Sequence, residues 1–380
     1  MKLLRCDRGS PASDHLDLVR GLTAITVVTG HVRAMLFVDL ASLGTPSGPE
    51  RLFYAATAFG HEAVMVFFVL SGFFVGGGVL GAARRDWEWT PYLVNRFTRI
   101  YVVLLPGLAL TAAWDSVGYA ADPGAYCESS AALNYDAHAR LSAGVLLGNC
   151  TQLQTVLVPT FGSNGPLWSL ANEAWYYLMF PALTLPFLRG RGWGVRVLYL
   201  AAGLGLAGTL LRPLALYFLV WCFGAAVALL PRLRLEGFWA AAAAASGAGS
   251  VLVALGATRL VAAVPGDFAV GLATTWLVYA LIISADALPA PAAYGRFARR
   301  LAGFSFTLYV VHMPAVVACR AVLLPGRRLT LTPSSAALFC LVVVAVLVYA
   351  IAVARVTEAR TDEVRRWLSA RLARPRRGAA

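Results

Sequence analysis

One stretch decides the fold class: residues 60–81 read GHEAVMVFFVLSGFFVGGGVLG. Glu62 is the acidic residue of this run, which contains no lysine or arginine. An apolar run of about 18 or more residues is long enough to cross the hydrocarbon core of a bilayer as a helix. The stretch is therefore predicted to be a transmembrane helix.

Similar runs recur along the 380 residues. They cover roughly residues 17–38, 60–81, 97–114, 167–188, 194–211, 213–230, 238–258, 268–285, 301–322 and 334–355. Hydrophobic residues make up 59% of the chain and charged residues 13%, whereas a typical globular chain is about 25% charged. A disordered chain is excluded, because this much apolar surface must be buried. We predict an all-α, polytopic integral membrane protein with about ten transmembrane helices.

Positive charge sorts to one side of this arrangement. The 32 basic residues exceed the 19 acidic ones and give a net charge of +13. Most basic residues flank the spans on the side that holds both termini, as the positive-inside rule expects for the cytoplasm. Nucleic-acid binding is disfavoured for the same reason. The predicted organisation is a cytoplasmic segment 1–16, a membrane domain 17–355 with its main outer loop at 115–166, and a basic cytoplasmic tail 356–380.

The outer loop contains an apolar piece and two cysteines. Residues 141–158 are expected to be re-entrant or interfacial, because a further span there would turn the arginines of 189–196 outward. Cys127 and Cys150 both fall in this loop, where an oxidising compartment permits a disulfide. No metal site is predicted: the chain has no CxxC, and His61 lacks the second histidine of an HExxH motif.

Ionisable residues inside a bilayer are costly, so each is a functional candidate. In the first span, Arg20 and His31 lie eleven residues apart, which places them on one helix face about 16 Å apart along the axis. This spacing suits a ligand or pathway that runs along the helix. The plainer alternatives are that Arg20 reaches the headgroups beside Asp17, and that His31 is a packing histidine.

Further candidates follow along the chain. Arg96 and Arg99 share a helix face at the cytoplasmic mouth of the third span, where they would clamp phosphates or simply anchor the helix. Glu173 lies near the outer end of the fourth span. Its carboxylate would either orient a hydroxyl or simply sit at the membrane interface. His312 in the ninth span would either form a second polar wall of the site or make a hydrogen bond between two helices.

Five motifs, in their order along residues 14–355, resemble those of the membrane-bound acyltransferase-3 family, which acylates carbohydrates and related molecules. The resemblance is carried by LDLVRGLTAITVVTGH with Arg20 and His31, FFVLSGFF with Ser71, the RFTR of Arg96 and Arg99, GPLWSLANEAWYYLMFP with Trp168 and Glu173, and FSFTLYVVHMP with His312. One departure is Met65, which stands where the family often has an acidic residue.

The resemblance implies an integral-membrane O-acyltransferase with no bound cofactor. Its co-substrate would be cytoplasmic acyl-CoA, with acetyl-CoA expected, and its surroundings the lipid of a bacterial-type cytoplasmic (inner) membrane. We expect His31, Glu173 and Arg20 to be the catalytic residues. Arg96 and Arg99, helped by Arg20, would bind the phosphates, and His31 would take the proton of the acceptor hydroxyl. Glu173 would orient His31 or that hydroxyl. Structural roles are expected for Asp17, Ser71, Trp168 and His312.

The acceptor is expected to be a carbohydrate or glycoconjugate. Polysaccharide, lipid-linked glycan, antibiotic and peptidoglycan-related hydroxyls all stay open. A different class also fits buried arginine, histidine and glutamate in a multi-span protein: a secondary transporter or flippase of glycans or acylated metabolites. The ordered motifs favour the enzyme.

Overall fold

The computed structural model describes residues 3–7, 9–83, 87–127, 130, 132–187, 192–209 and 213–372. Over these residues the chain is helical and forms no β-strand. The α-helices are α1 (Pro11–Leu36), α2 (Gly48–Ala56), α3 (Gly60–Ser71), α4 (Gly77–Ala83), α5 (Trp89–Ala121), α6 (Gly124–Cys127), α7 (Ala143–Cys150), α8 (Leu167–Thr184), α9 (Trp193–Thr209), α10 (Pro213–Val227), α11 (Gly237–Ala257), α12 (Ala263–Ile283), α13 (Ala292–Ala302), α14 (Ser305–Leu323), α15 (Pro333–Val356) and α16 (Thr361–Leu372). Several basic residues of the predicted charge asymmetry lie outside the described ranges, namely those at positions 2, 8, 84, 85, 189, 191 and 212 and beyond 372.

Each predicted span coincides with a helix, and the all-α prediction is confirmed. Within the described part of the chain, six helical stretches are long and apolar enough to cross a membrane. These are Gly48–Ala83, Trp89–Ala121, Gly237–Ala257, Ala263–Ile283, Ser305–Leu323 and Pro333–Leu372. The other four predicted spans fall on α9 and α10, which are shorter apolar helices, and on α1 and α8. Helices α1 and α8 carry polar residues of the site described below. The count of ten and the orientation of the termini stay predictions.

The second predicted span is one long helical stretch with a local change of geometry. A π-helical segment, Gly72–Gly76, joins α3 to α4. Glycine at position 72 is needed because a Cβ there would collide with the backbone carbonyl of Trp221 on α10. The close approach leaves Trp221 fully buried, so α10 is held tightly against the FFVLSG segment.

Helix α1 forms the centre of the bundle. Ser10 caps its start by accepting a hydrogen bond from the Ser13 backbone N–H, and Pro11 occupies the first turn, both standard helix-starting signals. The helix packs against α3, α13 and α14, while α5 packs along α14. These contacts bring the family-like motifs, which are far apart in the sequence, into one region.

The predicted outer loop is folded back onto the bundle. Helix α5 continues to Ala121, so the first residues of 115–166 are helical. The Asp115 carboxylate accepts hydrogen bonds from the backbone N–H (2.7 Å) and the hydroxyl (2.6 Å) of Ser163. The Asn164 side-chain amide donates to Thr111 Oγ1 (3.0 Å) and to the Val310 carbonyl (2.9 Å). The start of the GPLWSL motif is thereby tied to α5 and α14.

The apolar piece at 141–158 contains one eight-residue helix, α7. Such a helix is about 12 Å long, too short to cross a bilayer. Gln152 and Thr155, which follow it, have positive φ values of 59° and 67° and break any helical continuation. This piece therefore does not form a continuous span.

The predicted basic tail begins with an ordered segment. Glu358 accepts hydrogen bonds from the Thr307 backbone N–H (3.0 Å) and hydroxyl (2.9 Å) at the start of α14. Arg365 on α16 donates to Asn95 Oδ1 on α5 at 2.9 Å. Helix α16 thus lies beside the end of α5 that carries Arg96 and Arg99.

Candidate active site

A cavity of 610 Å³ lies among helices α1, α3, α5, α8, α14 and α16. Its walls include six of the residues predicted for the site: Asp17, Arg20, Ser71, Arg96, Arg99 and Glu173. Helix packing therefore brings together motif residues that are up to 156 positions apart in the numbering of the chain. The cavity is large enough for a drug-sized ligand, since such pockets typically measure about 300–1,000 Å³.

In the described part of the chain, the cavity is lined by five arginines and four acidic residues, namely Arg20, Arg96, Arg99, Arg299 and Arg365 with Asp17, Glu173, Glu358 and Asp362. Arg20 forms an ion pair with Asp17 at 3.0 Å. This contact was part of the plainer alternative that the sequence offered for Arg20. Among the described residues, neither the Nε atom of Arg20 nor that of Arg96 has a hydrogen-bond partner, although both atoms are buried. A buried donor without an acceptor costs free energy. These unsatisfied donors suit an anionic ligand in the cavity.

Glu173 anchors a hydrogen-bond network in the cavity wall. Its Oε1 atom accepts from the Ser71 hydroxyl at 2.5 Å and from the Tyr177 hydroxyl at 2.6 Å. Ser71 in turn accepts a hydrogen bond from Trp221 Nε1 at 3.1 Å. The network joins α3, α8 and α10. It contains no contact with His31, so the structure does not give Glu173 the role of orienting that histidine.

The histidine of the first motif is held by the histidine of the last. His31 Nδ1 lies 2.8 Å from His312 Nε2, and the two rings are stacked with centroids 5.0 Å apart. His312 is fully buried, while His31 is half-buried. Of the two alternatives for His312, a second polar wall or a helix–helix hydrogen bond, the structure shows the second.

The hydrogen-bond partners assign the protons of this pair. His312 Nδ1 faces the carbonyl oxygens of Leu308 (3.0 Å) and Tyr309 (2.9 Å), which only accept, so Nδ1 carries the proton. In a neutral imidazole the other nitrogen is then an acceptor. His312 Nε2 consequently accepts from His31 Nδ1–H. The Nε2 atom of His31 is left unprotonated, with a lone pair available to take a proton.

Tyr309 stands between the cavity and the histidine pair. It lines the cavity, and its ring lies 6.0 Å from both the Phe67 ring and the His312 ring. Along α1 itself the face between Arg20 and His31 is closed by buried Ala24, Val27 and Val28. The structure therefore shows no open path along α1 from Arg20 to His31, and Tyr309 is the cavity-lining residue next to His312.

Trp168 lies outside the arginine cavity, in a second polar cluster. Its ring stacks on His61 with centroids 6.0 Å apart. His61 Nε2 lies 3.0 Å from Asp267 Oδ2, and Tyr217 donates to the same oxygen at 2.9 Å. The sequence analysis missed Asp267 and Tyr217 and considered His61 only for a metal motif. An acidic residue at the start of an apolar helix was the available signal.

Two further features singled out in the sequence, the cysteines of the outer loop and Met65, can be located in the structure. Cys127 is exposed, Cys150 is half-buried, and both are free thiols, so the disulfide stays a prediction of the sequence alone. Met65 is fully buried in the apolar core, in keeping with the absence of a polar role at that position.

Fold and site together define a multi-pass membrane protein in which one helical bundle holds an arginine-lined cavity and a hydrogen-bonded histidine pair. The acyltransferase domain model of the acyltransferase-3 family matches residues 14–354, and the chain belongs to this family. No curated protein and no solved structure matches the chain significantly. Membership makes the protein a membrane acyltransferase.

Proposed function

We propose that the protein is an acyl-CoA-dependent O-acyltransferase that moves an acyl group, with acetyl expected, to a hydroxyl of a carbohydrate or related acceptor. One observation carries the proposal: the cavity lined by Arg20, Arg96 and Arg99 is also lined by Tyr309. The Tyr309 ring lies 6.0 Å from the ring of His312, the hydrogen-bond partner of His31. A CoA thioester needs both a phosphate-binding group and a nearby base, and here one aromatic side chain separates the two.

The arginines of the cavity suit the anionic part of the donor. Coenzyme A carries phosphates, and guanidinium groups bind phosphate oxygens through short, charge-assisted hydrogen bonds. The buried Nε atoms of Arg20 and Arg96, which have no hydrogen-bond partner in the described part of the chain, supply donors for such bonds. Under the proposed topology these arginines face the cytoplasm, where acyl-CoA is found.

The histidine pair suits the chemical step. His31 Nε2 takes the proton of the acceptor hydroxyl as the oxygen attacks the thioester carbonyl carbon. The new C–O bond forms, the C–S bond breaks, and the leaving CoA sulfur receives the proton from His31. His312 is a positioning residue, because its hydrogen bond holds the His31 ring with Nε2 free. The side chains of Phe67 and Tyr309 must part for the acyl end of the donor to reach His31.

The Glu173 network supports the cavity rather than the base. By accepting from Ser71 and Tyr177, the carboxylate fixes two hydroxyl groups in the wall next to the donor. We propose that these hydroxyls, and not a contact with His31, explain the glutamate of the fourth-span motif. Activity would then depend on Glu173 through the shape of the donor cavity.

Transfer of a radiolabelled group tests this function. Purified protein in proteoliposomes is given radiolabelled acetyl-CoA and an extract of cell-envelope glycans, and both free CoA thiol and labelled glycan are measured. The proposal expects both products to appear together. Glycan movement across the vesicle membrane without thiol release would instead identify a transporter or flippase.

A further inference from the structure

A buried carboxylate organises the second polar cluster, which consists of His61, Trp168, Tyr217 and Asp267. The Asp267 side chain is only 2% exposed, and its Oδ2 atom accepts from both Tyr217 and His61. The His61 side chain, by contrast, is 46% exposed. A buried acid thus fixes the orientation of an accessible imidazole, which is an arrangement more specific than packing alone requires.

Aromatic faces surround this imidazole. The Trp168 and His61 rings are stacked with an interplanar angle of 21°, and the Trp168 and Tyr217 ring centroids are 5.7 Å apart. Trp168 and Tyr217 are each half-buried. Such sites combine flat apolar faces with a few fixed polar groups. The faces would cover the C–H surface of a sugar ring, and the His61 edge would bond its hydroxyls.

The cluster lies where the start of α3 meets α1, and its four residues are not among the described residues that line the arginine cavity. His61 is ten residues before Ser71 on the same helix, a rise of about 15 Å. Helices α1 and α3 meet at Gly30 and Gly60, where a Cβ on Gly30 would be 3.5 Å from the Gly60 Cα. His31 and His61 are the residues that follow these two glycines.

A hydrogen-bonded contact also links the two regions through α8. Ser169, the residue after Trp168, bonds to the Tyr309 hydroxyl at 2.6 Å. Tyr309 is next to the His312 ring. A ligand at the cluster would therefore approach the histidine pair from the end of the bundle opposite to the arginines.

We propose that the cluster is the acceptor subsite and that it binds a polyhydroxylated ring such as a sugar. Trp168 and Tyr217 stack on the ring, and His61, held by Asp267, bonds a ring hydroxyl. The proposal rests on the proposed acyltransferase function and deepens it by naming the residues that bind the acceptor ring. Donor and acceptor would enter from opposite ends of the bundle and meet at His31.

Saturation-transfer NMR tests the site without requiring turnover. Protein in nanodiscs is titrated with N-acetylglucosamine, methyl α-galactoside and rhamnose, with 1,6-hexanediol as a hydroxylated compound without a ring. We expect saturation transfer to ring C–H protons of at least one sugar and none to the diol. Trp168→Ala and His61→Ala should each raise the Kd about 2- to 10-fold.

Matched variants separate this site from general damage. Trp276→Ala removes a tryptophan on α12 whose Nε1 bonds Ser246, and Asp286→Asn removes an acid in a solvent-exposed pair with Arg234; both should leave the Kd unchanged. If His61→Ala fails to fold by size exclusion, His61→Gln replaces it. Equal Kd values in all variants, or no transfer to any of the three sugars in the unaltered protein, would overturn the site. Thiol release from acetyl-CoA, measured on the same samples, reports the proposed function separately.

Discussion

His31 Nδ1 and His312 Nε2 lie 2.8 Å apart although the residues are 281 positions apart in the sequence. This hydrogen bond orients the His31 ring. The His312 ring is itself held by hydrogen bonds to two backbone carbonyls of its own helix. Because His312 is anchored in this way, it holds His31 in one tautomer. His31 is thus oriented by a hydrogen-bonding neighbour, as catalytic bases commonly are.

Loss of the His312 acceptor should lower turnover without weakening donor binding. In His312→Leu, His31 Nδ1 has no acceptor and both the ring orientation and the tautomer are released. We expect kcat to fall on the order of 10²-fold, with the KM for acetyl-CoA unchanged. His312→Gln should recover part of the rate, because its side-chain carbonyl accepts a hydrogen bond. Equal losses in Leu and Gln variants would mean that His312 only packs the core.

Arg96 and Arg99 should control donor affinity. Replacing either by Ala removes a charge-assisted contact of about 1.5–3 kcal/mol, which raises the KM for acetyl-CoA by about 10- to 150-fold. The KM for acceptor should change much less. Arg234→Ala, which removes an exposed arginine paired at the surface with Asp286, is the matched control. If the KM for acetyl-CoA equals that of this control, the two arginines only anchor the helix at the membrane surface and do not bind the donor.

Lysine should replace Arg20 only in part. Lysine can keep the ion pair with Asp17, which is 3.0 Å long, but it cannot reproduce the planar fork or the buried Nε–H donor. We expect Arg20→Lys to retain partial activity and Arg20→Ala to retain less, both with raised donor KM. Steady-state kinetics over a range of acetyl-CoA concentrations measure this. Full activity of the lysine variant would show that only charge matters at this position.

The loop anchor at Asn164 should stabilise the folded bundle. Asn164 is fully buried and bonds both α5 and α14, so Asn164→Ala leaves the Val310 carbonyl without this donor. We expect a loss of about 1–3 kcal/mol, seen as a lower thermal unfolding midpoint in detergent. Asn134→Ala, at an exposed position, should show no change. A midpoint equal to that of this control would contradict the anchoring role.

Several features of the fold and site could be predicted from local sequence. The apolar runs predicted the positions of the helices, because each run is defined by its own composition. The i, i+3 spacing of Arg96 and Arg99 predicted a shared face, and both residues line the same cavity. Glu173 was selected as a polar residue in an apolar helix, because such residues are costly there, and it lines the same cavity.

Partnerships between distant helices could not be predicted in this way. Periodicity assigns His31 to a face of α1, but it does not say which helix packs on that face. The pairing of His31 with His312, and of Glu173 with Ser71, depends on the packing of α1 on α14 and of α8 near α3. The His61–Asp267 contact was missed for the same reason.

The most direct measurement of the central claim is thiol release from acetyl-CoA by His31→Ala protein. The matched control is His15→Ala: His15 is on the same helix, bonds Tyr294 and the Leu288 carbonyl, and is not part of the cavity lining among the described residues. With both proteins monodisperse, the account predicts wild-type turnover for His15→Ala and a loss of at least about 10²-fold for His31→Ala. A His31→Ala protein that keeps more than about a tenth of wild-type turnover would contradict the assignment of His31 as the general base.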